Sequence, residues 1–66
     1  MNILLNGEPY EAQPQQTIAA LVEQLSLGAK RYAVEVNQSI VPRSEHESHQ
    51  LQDNDHVEVV VAIGGG

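Results

Sequence analysis

His56-Val57-Glu58-Val59-Val60-Val61-Ala62-Ile63 is the segment that decides the fold. Its β-branched side chains suit a pleated, packed surface, so it is predicted as a strand. A strand apolar at almost every position needs neighbours on both sides and belongs at the centre of a sheet. The Asp53-Asn54-Asp55 turn launches it, and Gly64, Gly65 and Gly66 follow it.

The other long apolar run, Asn2-Ile3-Leu4-Leu5, stands at the opposite end of the chain. It is expected beside the last strand. Asn6-Gly7 follows, and Asn-Gly marks a tight hairpin because both central positions need positive φ. The return strand is expected around Glu8 to Ala12, with Pro9 on a sheet edge that can spare a backbone donor. Gln13-Pro14-Gln15-Gln16 connects it to a helix capped by Thr17. Ile18, Leu21, Val22 and Leu25 recur at helical spacing, predicting a helix from Ile18 to about Ser26 with Gly28 as its left-handed terminator. Tyr32-Ala33-Val34-Glu35-Val36 alternates as a strand with one wet face. Asn37-Gln38 turns the chain into Ser39-Ile40-Val41-Pro42, a short strand stopped by its proline. Ser44-Glu45-His46-Glu47 matches a capping box, so one helical turn is expected after Ser44. Glu45 to Gln50 reads as surface loop, anchored by Leu51.

These elements predict an α+β domain over residues 1–63, a small mixed sheet with one helix across one face, and a tail over 64–66. Ile3, Leu5, Val57, Val59 and Val61 then face the helix. Leu4, Val60 and Ala62 fall on the opposite face, which the chain has no second layer to cover. An uncovered apolar patch is expected to meet a partner.

Composition narrows the function. Sixty-six residues hold one small domain, and 41% apolar residues with no Phe or Trp give an aliphatic core with little room for a cavity. Nine acidic against three basic residues give a net charge of -6, which opposes nucleic acid and anionic membranes and favours basic protein partners. The absence of cysteine removes disulfides, Cys-based zinc sites and thiol nucleophiles. No apolar run reaches the ~18 residues of a membrane span, and Met1 leads straight into a strand, so a cytoplasmic monomer is expected.

Catalytic constellations are absent from the pattern. His46, His49 and His56, near Glu45 and Glu47, lie in polar surroundings and are expected to be solvent-exposed rather than metal ligands. Asp53 and Asp55 are expected to serve turn geometry. Arg43 is expected to pair with surface acids or to contact a partner. The glycine tail is the informative feature: three glycines extend at most about 10 Å and pass through a slot that admits no side chain. A terminal carboxylate on Gly66 is ionised at neutral pH and is a competent oxygen nucleophile.

Asn37-Gln38-Ser39-Ile40-Val41-Pro42-Arg43, Leu51-Gln52-Asp53-Asn54-Asp55 and the Val-rich strand ending in glycines together resemble the ThiS family, the sulfur carriers of thiamine thiazole biosynthesis. The resemblance covers essentially the whole chain and implies a ubiquitin-like β-grasp fold. It implies that the chain is a carrier and not an enzyme, with no permanent cofactor. A ThiF-type activating enzyme would use Mg-ATP to adenylate Gly66, and sulfur relayed from a cysteine desulfurase would replace AMP. Thiazole synthase would then take sulfur from the resulting thiocarboxylate. Gly64 and Gly65 would thread the tail into partner active sites, and Leu4, Val60 and Ala62 are the candidates for docking. Two positions depart from the family pattern: three glycines stand where a pair is shared, and Asn54 replaces a frequent glycine. Two other readings fit the same residues: the small sulfur-carrier subunit of molybdopterin synthase, and a β-grasp interaction module that carries nothing.

Overall fold

The computed structural model describes residues 1–28 and 30–62. Asn6 and Gly7 adopt φ of 51° and 82°, the paired positive values that a tight hairpin requires. They join β1 (Asn2–Leu5) to β2 (Glu8–Glu11) in an antiparallel pair, with Pro9 on the outermost strand. Asn37 and Gln38, at 52° and 72°, make the equivalent turn between β3 (Tyr32–Val36) and β4 (Ser39–Val41). β5 (His56–Val61) runs parallel to β1 and antiparallel to β3. The sheet order is β2-β1-β5-β3-β4, so the most apolar strand is central and lies beside the first, as its composition requires.

Helix α1 (Ile18–Gln24) is two turns long, too short to hold itself in water. Its stability comes from packing: Ile18 and Leu21 are fully buried with Val22 against Ile3, Val34, Val57 and Val59. The helix ends earlier than its apolar spacing suggests. Leu25 is the C-terminal cap, and Ser26 takes the left-handed conformation (φ 56°) two residues ahead of Gly28, which is also left-handed (64°).

The segment after β4 departs from expectation in two ways. The short 3-10 turn spans Arg43–Glu45 and starts from Pro42, with no side-chain cap, so Ser44 does not open a capping box. Proline fixes its own φ near the helical value and leaves no amide to satisfy, which lets the turn begin one residue sooner. Residues 46–49 are also no free surface loop. The carbonyls of His46 and His49 accept the Ala19 and Ile18 amides at 2.9 and 3.0 Å, while Thr17 Oγ1 accepts the Ala20 amide at 3.2 Å. Three of the four orphan donors of α1 are thereby satisfied, two of them by a segment thirty residues away. Leu51 is buried and anchors the return to β5, as its isolated position in a polar stretch suggests.

Candidate functional site

Strand alternation sorts β5 into two faces. Val57 and Val59 are buried beneath the helix; His56, Glu58 and Val60 point the other way. Val60 stands opposite Ala33, Glu58 opposite Glu35, and His56 beside Leu4. On β4, Ile40 joins the same outer face opposite Glu35. Ile40 is 69% exposed and Val60 56%, the two large apolar side chains most open to solvent among the described residues.

Val60 and Ala62, two residues apart, share this face near the end of β5, where the Ala62 amide donates to Arg31 O at 2.9 Å. Leu4 is half-buried and paired with Pro9 and His56 at the other end of the strand, about 13 Å from Val60 at ~3.3 Å per residue. Of the three docking candidates, then, two are neighbours and the third is not. Ile40 lies on the same face two strands from β5, across β3 from Glu58, and its alternation with buried Val41 was the signal in the sequence. Gly64, Gly65 and Gly66, with Ile63, lie outside the described residues.

The start of β5, at the opposite end of the strand from Val61, is a polar junction. Asp55 is buried; its two carboxylate oxygens accept the Asn37 side-chain amide at 3.0 Å and the Gln52 amide at 2.8 Å. Asp53 accepts the Asn2 amide at 2.9 Å, and Asn54 supplies φ of 72° between them. Both aspartates are committed to turn geometry. A shallow depression of about 200 Å³ lies here, lined in part by Leu4, Pro9, Asn54 and His56.

The three histidines differ in environment. His56 is exposed and His49 half-buried, but His46 is only 5% exposed, which corrects the expectation of solvent exposure. Its Nε2–H donates to Val41 O at 2.9 Å, which leaves Nδ1 buried with no partner. The ring stacks on Tyr32, with centroids 6.1 Å apart, and the Arg43 guanidinium lies 4.4 Å from the Tyr32 ring centre. Arg43 is therefore held by a cation–π contact within its own domain. The cause of His46 burial is tertiary: its carbonyl caps α1 while its ring reaches Val41 O on β4, which holds the residue between helix and sheet. Among the described residues no three His, Asp or Glu side chains gather as a metal site. No helix there is long and apolar enough to cross a membrane.

Comparison with known proteins places this geometry. The family model described as the ThiS family matches residues 3–66. The sulfur carrier protein ThiS of Escherichia coli is 36% identical over 66 residues, covering all of both chains. The thiazole synthase of Magnetococcus marinus is 41% identical over the whole of this chain, which spans about 20% of that protein's length. A crystal structure of the thiamine biosynthesis protein ThiS from Geobacter metallireducens superposes with a TM-score of 0.83 at 26% identity, covering all of both chains. Its likeness to a sheet with one helix across one face agrees with the β-grasp expectation. On the family match and the full-length likeness to a carrier, the chain belongs to the ThiS family, the small sulfur carrier proteins of thiamine biosynthesis.

Proposed function

We propose that the Gly66 carboxylate is the covalent site of the carrier. A carboxylate is a poor electrophile, so it must first be given a leaving group. A ThiF-type activating enzyme joins it to AMP from Mg-ATP and releases pyrophosphate. The outer sulfur of a persulfide delivered by a cysteine desulfurase relay then attacks the acyl adenylate and displaces AMP. A thiol cleaves the resulting acyl disulfide, leaving a thiocarboxylate on Gly66 and a disulfide as the oxidised product. Thiazole synthase consumes that sulfur, and the carboxylate returns. The link to a thiazole synthase draws support from two relatives of that name, each containing a segment similar to this whole chain.

Gly64 and Gly65 thread the tail, because only glycine passes a slot without side-chain clearance. Val60 and Ala62 dock the body of the domain near the tail, with Leu4 at the far edge of the same face. The observation that carries this reading is the family match, which runs through residue 66 and so includes the glycines.

The test is intact-mass measurement after incubation with an activating enzyme, Mg-ATP and a sulfur donor. The chain is expected to gain the mass difference between sulfur and oxygen, localised to its last residue. A variant with one further residue after Gly66 is expected to gain nothing. Sulfur uptake by that extended variant would overturn the assignment.

A further inference from the structure

Glu35 and Glu58 stand directly opposite each other on the outer face of β3 and β5. The Val59 amide turns away from β3 to Asn6, and the His56 carbonyl turns toward β3 to accept the Asn37 amide. Alternation then makes Glu58 and Glu35 the pair that exchanges both backbone bonds, with Cα atoms about 5.5 Å apart. Like charges in such a pair destabilise a sheet. The chain has three fixed cations with which to relieve them. Arg43 is held on the Tyr32 ring. Arg31 precedes β3 and lies four residues before Glu35, with the two Cα atoms about 13 Å apart at ~3.3 Å per residue. Lys30 lies one residue further back.

The carboxylates are also flanked by Ile40, opposite Glu35, and by Val60, two residues beyond Glu58. Both aliphatic side chains are more than half exposed. The fold thus carries a repulsion and uncovered apolar surface at one place, with no internal gain from either. Breaches of local rules of this kind gather where a sequence serves something other than its own stability.

We infer that this patch receives an arginine or lysine of the thiazole synthase, its charge seated between Glu35 and Glu58 and its apolar surround covering Ile40 and Val60. The inference rests on the carrier reading above and names the contact that reading requires. Charge complementarity selects a basic partner for a chain of net charge -6. Two relatives select which partner: in thiazole synthases of Magnetococcus marinus and Paramagnetospirillum magneticum, a segment like this chain makes up about 20% of a single polypeptide. In those relatives the linkage holds the carrier-like segment beside the synthase at an effective concentration in the millimolar range, which marks the synthase as a body that such a domain must meet. The distances allow it. A standard interface of about 800 Å² per partner is roughly 30 Å across, so one footprint holds both the carboxylate pair and the root of the tail.

The experiment measures binding of the full chain to purified thiazole synthase, for wild type, Glu35→Gln, Glu58→Gln and the double variant. Thermal melts of each accompany it. The double variant is expected to bind about tenfold or more weakly at low salt while melting no lower than wild type. The difference should shrink toward 1 M salt, where the screening length falls to about 3 Å. Unchanged affinity in the double variant overturns the inference, as does a loss that ignores salt or a loss confined to the activating enzyme. Intact-mass measurement on the wild type separates the two levels. Sulfur gain with unaltered synthase binding by the double variant removes only the docking contact; no sulfur gain removes the carrier reading itself.

Discussion

The Asn6 side-chain oxygen accepts the Val59 amide at 2.8 Å, while the Asn6 amide donates to Val57 O at the same distance. β1 has already ended at Leu5, and Asn6 is turning the chain at φ 51°. Its side chain continues the ladder where the backbone leaves it, so the central strand keeps a partner toward its tail end. One residue supplies both the hairpin conformation and the last rung. Asparagine suits both tasks, since it tolerates the left-handed region and carries an amide oxygen.

Asn6→Ala is therefore expected to cost about 2–4 kcal/mol: an orphaned, partly buried amide plus a left-handed Cβ. Asn6→Asp keeps the acceptor and the conformation and should cost less. Urea unfolding measures both, and a change below about 0.5 kcal/mol in the alanine variant would show that the rung contributes nothing.

His46 joins a satisfied nitrogen to a stranded one, which makes two substitutions informative. His46→Ala removes the donor to Val41 O and leaves a void under Tyr32, at a cost of about 2–4 kcal/mol. His46→Leu fills the space and also removes the unpartnered Nδ1, so it should cost at most ~1.5 kcal/mol. Equal losses in the two variants, measured by denaturant midpoint at constant m-value, would assign the stability of this corner to the hydrogen bond and not to packing.

Glu58→Gln relieves the cross-strand repulsion with Glu35 and is expected to raise stability by about 0.2–1 kcal/mol at low salt. The gain should fade as salt is added, because exposed charges are screened. Thermal midpoints at two ionic strengths check this; a lower midpoint at low salt would mean that the pair is relieved within the domain.

Val60→Asp places a carboxylate on the outer face at a position 56% exposed. The domain should stay folded, within about 1 kcal/mol of wild type. Adenylation should weaken through a higher KM for the carrier. Circular dichroism confirms the fold and pyrophosphate release measures activation; unaltered kinetics would remove Val60 from the surface that meets the activating enzyme.

The number and type of elements were legible in the residues because each depends on a short window. Asn6-Gly7 sets its own φ values, the Ile18, Leu21 and Val22 spacing makes a stripe, and the alternation through Val57, Glu58, Val59 and Val60 assigns each side chain to a face. The glycine tail and the Ile40-Val41-Pro42-Arg43 segment carried the family resemblance for the same reason. Tertiary structure alone decided that His46 is buried, that its carbonyl caps a helix thirty residues earlier in the chain, and that Asn6 reaches Val59. It also decided that Glu35 and Glu58 meet, while Leu4 stands apart from Val60. A period of two fixes which face a side chain takes, but which residue it meets depends on the register between strands distant in the chain, and that register is set only when the whole core packs.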